Sequence, residues 1–558
     1  MKPSETRELV REAKHRDATY LGTRTSLLGV EEHIKVNDED RMTHVLNAGP
    51  TGYGKTQELL HVALQDAYKG GLCIINPKGG LLDEFLAKLP ENRWEDVTYI
   101  DPSRESVPSI NVLEPYTNGQ MNLAQKENQK EIIVSDLIDL FRRQSENWGD
   151  RFGRILETLL HAHIDLNIRN NASHSLVDVY RCVIDTDALN ELIDLTVDPV
   201  VREQLIKVKE EMGSHELEPL QRRLNDFMMN SAIRRVIQGE QDIDFREAID
   251  NQEIILVDVQ KGEVGSTVSE LVGSIVITKV WAAAQSRVTQ PEERQTPFYL
   301  FVDELQNYSG EGSNFAKILS EAREYRLGLW LSTQYLHQLD AEMRRAVSNN
   351  TNTKMFFNPS GSEDANRIAG MLQGIDKAEL TELGKFRAAI QVPSKRSRSQ
   401  ADIIDTYPPY IADLSMEEVE ELKKEFTGSG EKQEVEIVNS TGESAASGGE
   451  THEQLLKDAK RFLEFEKNVQ VNLLRQDGSE KPDGHIIGED QVAHLEAEHT
   501  TVSKPEKVLK NLERAREQDR ECVFIVEDGN RGRLENNLED VDTGQYRILV
   551  STDLGVIQ

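Results

Sequence analysis

With 558 residues, 37% apolar content and a net charge of −33, the chain has material for a large core, and its length suggests roughly three to four domains beneath an acidic surface. No window approaches the roughly 18 consecutive apolar residues of a bilayer span, and Met1 to Arg7 lacks the apolar core of a signal peptide. Cys73, Cys182 and Cys522 stand far apart with no C-x-x-C pair, which argues against a disulfide framework or a zinc site and fits a reduced cytoplasmic setting, any membrane association running through a partner.

Residues 1 to about 41 are polar, with a helical pattern over Glu5 to Ala18 and then a glycine-punctuated lead-in to the first core strand. The stretch from His44 to Thr56 holds a short apolar run, then Gly49-Pro50-Thr51-Gly52-Tyr53-Gly54-Lys55-Thr56, then a helical segment to about Tyr68 whose buried stripe is Leu59, Leu60, Val62, Ala63 and Leu64. G-x-x-x-x-G-K-T between a strand and a helix is a phosphate-binding loop. Its glycines let successive backbone N–H groups surround the phosphates, Lys55 reaches the β and γ groups, and the Thr56 hydroxyl serves Mg²⁺, so ATP and Mg²⁺ are the expected cofactors.

Strands are expected at Leu72–Asn76, running into Pro77-Lys78-Gly79-Gly80, and at Val97–Asp101. Crossovers of this length argue for an α/β fold with a mostly parallel sheet and ligands at the carboxyl ends of its strands. Between about residues 120 and 239 the pattern turns all-helical, with helices predicted at Ile132–Phe141, Phe152–Ile168, Ser175–Ile184, Pro199–Met212 and Pro219–Met229. The sheet resumes at Glu253–Val259 and continues through a helix near Val268–Arg287 to Pro297–Glu304, Leu329–Gln334 and Thr353–Phe357. The expected division is a motor of residues 1–119 plus 240–426, a helical insertion of 120–239, a Gly, Ser and Glu-rich linker of 427–450, and a small α/β domain of 451–558.

Asp303 and Glu304 end a run of apolar and aromatic residues, as a buried strand that delivers carboxylates to a nucleotide would. Asp303 suits the Mg²⁺ and Glu304 the attacking water. Gln334 ends the next strand, placed to sense the γ-phosphate, and Arg323 on the preceding helix reads as a finger reaching a neighbouring subunit's nucleotide, with an exposed surface charge as the plain alternative.

The ordered set Gly49–Thr56, Asn76-Pro77-Lys78-Gly79, Ser109-Ile110-Asn111-Val112-Leu113, Trp148-Gly149-Asp150-Arg151, Val302-Asp303-Glu304 and Ser332-Thr333-Gln334 resembles the conjugative coupling ATPases of type IV secretion, the TraG/TraD family, within the wider HerA and FtsK DNA translocases. The likeness covers about Tyr20 to Phe426. It implies a RecA-like hexameric motor acting on DNA, with Lys55, Thr56, Asp303, Glu304, Gln334 and Arg323 in the family roles, and a relaxase-type cargo or membrane transfer complex as further partners. Two departures stand out. The transmembrane helices with which such proteins usually begin are not found here, and Asn76 occupies a position that is usually Asp.

An acid excess of 98 against 65 basic residues, spread along the chain, is how halophilic proteins stay soluble where screening reaches only about 3 Å at 1 M salt, and a salt-loving source is expected. Contact with nucleic acid then has to be local. Lys395, Arg396 and Arg398, with Lys385 and Arg387 upstream, form the most suggestive basic cluster, though a solvated loop explains so short a run equally well.

In the last hundred residues Asp483, then Glu496 and Glu498, then a helix over Pro505–Gln518 and a strand at Val523–Val526 resemble the restriction-endonuclease-like fold, except that Glu498 stands where a lysine is usual and Lys504 is the nearest substitute, so that an active metal-dependent nuclease, a fold used only to bind DNA or a partner, and an unrelated adaptor all stay open. The reading as a whole is an ATP-dependent DNA translocase. The alternatives are a HerA-like helicase in DNA-end processing and an ATP-gated adaptor that binds protein cargo.

Overall fold

The computed structural model describes residues 2–26, 29–116, 123–143, 149–170, 172–211, 218–238, 242–291, 294–310, 315–359, 361–393 and 400–427, and further on 470–473, 484–487, 492–497, 508–512, 522–526, 531, 534, 538 and 546–550. The chain divides into two compact units, Met1–Glu434 and Val435–Gln558.

The first unit is built on one sheet. Helix α1 (Pro3–Arg11) leads to β1 (Ala18–Thr25), β2 (Glu31–Asn37), the short α2 (Asp38–Arg41), β3 (Val45–Ala48), α3 (Lys55–Lys69), β4 (Gly71–Asn76), α4 (Leu81–Leu86) and β5 (Val97–Ile100). Eight helices follow with no strand among their described residues: α5 (Leu123–Arg143), α6 (Asp150–Asn170), α7 (Leu176–Ile184), α8 (Thr186–Leu195), α9 (Pro199–Glu211), α10 (Glu218–Met229), α11 (Ser231–Ile237) and α12 (Phe245–Asp250). Then come β6 (Ile254–Asp258), α13 (Lys261–Gln285), β7 (Phe298–Val302), α14 (Phe315–Glu321), β8 (Leu327–Thr333), α15 (Ala341–Asn350), β9 (Thr353–Phe356), α16 (Ser362–Met371), α17 (Lys377–Thr381), β10 (Arg387–Gln391), β11 (Asp402–Asp405) and α18 (Met416–Phe426).

The strand order is β2-β1-β11-β10-β9-β3-β8-β7-β4-β6-β5. Every pairing from β9 to β5 is parallel, and the β2-β1-β11-β10 extension is antiparallel and joins β9 antiparallel. A parallel sheet must be covered on both faces, and the side chains alternate accordingly. Leu46, Cys73, Ile75, Val257, Leu300, Val302 and Leu331 face the core shared with α13 and the eight-helix segment, while Val45, Leu72, Ile74, Leu256, Phe301 and Trp330 face the core shared with α3 and α4. The fold is α/β and mostly parallel.

Four strands of the antiparallel extension, β1, β2, β10 and β11, do not stand out in the sequence. β2 buries only Val36 completely, and β1 is interrupted by an irregularity between Tyr20 and Gly22, so neither carries a clean two-residue hydrophobic period. Helix α8 is separated from α7 by Asp185 alone, whose carboxylate caps α8 by accepting from the Asp187 N–H, and so the two merge in a periodicity reading.

Helix α13 is the one described helix long and apolar enough to cross a membrane, and 83% of its most apolar window is buried. Its chain breaks at Gly265 (φ 81°), and at Gly273 it packs so closely on Tyr308 that a Cβ would lie 2.3 Å from the ring. A core role accounts for its apolarity.

The second unit is a five-stranded sheet in the order β12 (Gln470–Leu473), β13 (Gly484–Ile487), β14 (Val492–Ala497), β15 (Cys522–Val526), β16 (Tyr546–Val550). The first three strands are antiparallel and the β14-β15-β16 pairings parallel, with residues Val508 to Leu512 helical and Val508, Leu512, Phe524 and Leu534 in the core.

Candidate nucleotide site

The carboxyl ends of the parallel strands lie along one edge of the sheet, and Gly49–Thr56 leaves β3 at its middle. Gly52 (φ 85°) and Gly54 (φ 115°) adopt left-handed backbone that other residues rarely take, which turns the chain into α3 so that the N-terminal amides of that helix border the loop. The loop is held tightly. Gly49 donates its N–H to the Thr333 carbonyl at 3.2 Å, and a Cβ on it would sit 2.5 Å from the Cβ of Phe357. Asn47 Nδ2 donates to the Lys55 carbonyl at 3.3 Å.

Strand β8 lies between β3 and β7, so residues that follow β7 and β8 face the loop together. Lys55 is buried, with its Nζ 3.4 Å from Glu304 Oε1 and 3.6 Å from Asp303 Oδ1. Gln334 Nε2 donates to Glu304 Oε1 at 3.2 Å. Glu304 itself has left-handed backbone (φ 52°), a conformation costly for a side chain this long and typical of strained functional positions. Thr56 is exposed at the start of α3.

Two further residues complete the cluster. Lys78, in the turn after β4, donates its ammonium to Glu304 Oε1, and Gln306 donates to Glu304 Oε2 while accepting from the Thr333 hydroxyl at 3.0 Å. The turn is shaped by Asn76, whose Oδ1 accepts from the Lys78 N–H at 3.2 Å. The Asn-Pro-Lys sequence was the available signal for Lys78, but its partner lies 226 residues away. Gln306 carried no signal beyond its place two residues after Glu304.

The two carboxylates sit in opposite electrostatic conditions. Burial pushes the Asp303 carboxyl up, with Lys55 opposing this only in part. Burial also acts to raise Glu304, but Lys55 beside it and hydrogen bonds from Lys78 and Gln306 outweigh that and hold it at about 2. Asp303 Oδ1 is buried and accepts no hydrogen bond. A carboxylate oxygen that accepts no hydrogen bond and faces the Lys55 ammonium, beside a phosphate loop, is one that a hard cation such as Mg²⁺ takes as a ligand, and Mg²⁺ usually draws its other ligands from phosphate and water. Among the described residues no group of three His, Cys, Asp or Glu side chains is arranged to hold a metal unaided.

Other sequence candidates fall elsewhere. Arg323 is exposed in the short turn before β8, at the strand end opposite Gln334, and β8 has 7 residues, roughly 20 Å at ~3.3 Å each. It does not reach the loop of its own chain. Ser109–Leu113 is a brace: Ser109 N–H and Oγ donate to Asp242, and Asn111 ties to the His174 carbonyl and the Leu113 N–H. Arg387 is ion-paired with Asp405 at 3.2 Å, whereas Lys385 is exposed. Lys395, Arg396, Arg398, Trp148, Asp483, Glu498 and Lys504 lie outside the described residues, as does the side chain of Glu496.

Residues 297–401 match a family model described as the TraM recognition site of TraD and TraG. Among solved structures, the fold is similar to the plasmid coupling protein TrwB in complex with ADP and Mg²⁺ (14% identity, 73% of this chain and 94% of that chain, TM-score 0.51) and to TrwB in complex with a non-hydrolysable ATP analogue (12%, 73% and 94%, 0.51). VirB4 of Thermoanaerobacter pseudethanolicus is also matched (15%, 70% and 96%, 0.48). No curated protein sequence matches the chain. The TraD and TraG resemblance is thus matched over residues 297–401, and the fold of the first unit is that of the TrwB coupling protein.

Proposed function

We propose that the chain is an ATP-dependent DNA translocase of the coupling-protein kind, moving DNA in conjugation, secretion or mobile-element transfer. The observation that carries the reading is the meeting of Lys55, Asp303, Glu304 and Gln334 at one phosphate-binding loop. The backbone N–H groups from Thr51 to Thr56 bind the phosphates, and Lys55 exchanges its contact with Glu304 for the β and γ groups. Glu304, released from Lys55, is then the carboxylate that orients the attacking water and accepts its proton, with Gln334 and Gln306 holding the two carboxylate oxygens in place. Thr56 and Asp303 would hold Mg²⁺, which supplies neutralisation of phosphate charge.

Arg323, being a strand length from its own loop, is assigned to a neighbouring subunit's nucleotide, and a homo-hexamer is the assembly that allows this. The segment from β5 to β6 is taken as a helical insertion on that motor. The match over residues 297–401 supports a protein partner docking there, in keeping with a relaxase-type cargo or a membrane transfer complex. The net charge of −33 supports DNA contact through local basic residues and is in keeping with a salt-rich cytoplasmic setting.

The test is ATP turnover in molar KCl with single-stranded DNA, double-stranded DNA and none, in the parent, Lys55→Ala and Glu304→Gln. Stimulation by DNA in the parent is expected, with a loss of roughly 10²-fold or more in Glu304→Gln while nucleotide binding is kept. Turnover indifferent to both kinds of DNA would remove the translocase reading. Arg323→Ala subunits mixed with parent subunits should depress turnover more than in proportion to their share.

A further inference from the structure

Five non-glycine residues among those described have left-handed backbone, and two of them, Glu304 and Phe386 (φ 62°), flank the phosphate loop on opposite sides. Phe386 immediately precedes β10. Its N–H donates to the Tyr53 carbonyl inside the loop at 2.8 Å, and its carbonyl accepts from the Thr406 N–H at 2.8 Å, so the backbone is pinned from both sides. A Cβ added at Gly54 would lie 3.0 Å from Phe386 Cδ1. Despite this anchoring the side chain is 46% exposed, the one aromatic among the exposed large apolar side chains of the described residues. An aromatic residue held in a costly conformation, against a ligand-binding loop and open to solvent, is strain retained for contact with something outside the chain.

The sheet order says which part of a nucleotide arrives there. Glu304 and Gln334 follow β7 and β8, on one side of β3, and mark the γ-phosphate end of the site. Phe357 directly follows β9 and Phe386 directly precedes β10, on the other side. A triphosphate laid along Gly49–Thr56 with its γ group at Lys55 and Glu304 therefore runs its α-phosphate and nucleoside toward the Phe386 flank.

We propose that the Phe386 ring is the stacking surface for the base of the bound nucleoside triphosphate. The assignment rests on the nucleotide reading above and adds the base subsite to it. Stacking uses the π-face that every base presents, so the subsite accepts adenine and guanine alike and discriminates against a polyphosphate that has no base.

The experiment is calorimetric binding of ATP, GTP and inorganic tripolyphosphate to the full chain carrying Phe386, Phe386→Ala, Phe386→Gly or Phe386→Trp. Phe386→Gly is included because glycine takes φ 62° without strain, so the ring is lost while the backbone conformation that positions the loop is favoured. ATP and GTP affinity should fall about 5- to 100-fold in the Ala and Gly variants and stay within about threefold of the parent in Trp, with tripolyphosphate affinity the same throughout. Equal losses for ATP and tripolyphosphate would overturn the assignment, because the ring would then be bracing the loop. ATP binding unchanged in Ala and Gly would also overturn it while leaving the nucleotide reading intact. A parent that bound no ATP would overturn both.

Discussion

Lys78 and Glu304 are joined across the nucleotide edge of the sheet: a lysine 45% exposed donates to a carboxylate whose side chain is only 4% exposed. The pair shares Glu304 Oε1 with Lys55 and Gln334, so two cations hold the residue assigned to activate water. Lys78 is a positioning residue, and its removal should change the pH at which Glu304 titrates as well as the rate. A carboxyl held low is ionised, and competent as a base, above its pKa; the rate supported by the free enzyme falls as pH drops through it. Lys78→Ala removes one of the groups holding it near 2, so the acid limb of kcat/KM should move to higher pH, with a loss at about pH 5 that exceeds the loss at about pH 8. Profiles that superimpose after scaling would count against this role.

Gly54 and Gly52 both have positive φ, but only Gly54 is crowded, with Phe386 Cδ1 at 3.0 Å and Phe357 Cε1 at 3.2 Å from the position of a Cβ, whereas nothing lies within 4 Å at Gly52. Gly52→Ala should cost only backbone strain, about 1 kcal/mol, and Gly54→Ala about 1–3 kcal/mol with weakened phosphate binding in addition. Chemical denaturation and ATP-induced thermal shifts of the two variants would separate these effects.

Glu58, one turn into α3, is 1% exposed, and neither carboxylate oxygen has a hydrogen-bond partner among the described residues. Burial pushes its carboxyl well above the usual range. The folded protein therefore binds this proton more tightly than the unfolded chain, so the associated stability is full below the unfolded pKa of 4.5 and is lost as pH rises through the raised value. Glu58→Leu should stabilise the protein, by about 1–3 kcal/mol at alkaline pH and less at about pH 5. Melting curves across that range test the sign; a gain that shrank as pH rose would contradict it.

Arg41 and Asp66 form a pair 2% and 0% exposed, with Nη1 to Oδ1 at 2.5 Å, and the guanidinium lies 4.0 Å from the Tyr299 ring centroid. The pair locks α2 to α3 beneath the sheet. Asp66→Ala strands a buried cation and should cost about 3–5 kcal/mol, while exchanging both members for apolar residues of similar volume should recover much of that loss. Denaturant midpoints for the single and double variants would decide it.

The loop at Gly49–Thr56, the helix after it and the strand ending in Asp303-Glu304 were legible because each is a local pattern: glycines before a helix, a buried strand closing on acids. The partners of those residues were not. Lys78 reaches Glu304 across 226 positions and Thr333 reaches Gln306 across 27, and no periodicity carries such distances. The antiparallel extension was unreadable for another reason. At its outer edge β2 buries little, so its sequence is under weak hydrophobic constraint.

Residue type and spacing along the chain were enough to mark Gly49–Thr56 as a loop between strand and helix, to end a buried strand at Asp303 and Glu304, and to expect a helical segment between β5 and β6. Which residues face one another was decided by the strand order, with β8 between β3 and β7 and β9 on the far side. That order places Glu304 and Gln334 at one end of the loop and Phe386 at the other. Neighbour choice in a sheet covered on both faces is made by the packing of two cores at once, a property of the whole assembly of helices and strands that no short stretch of sequence contains.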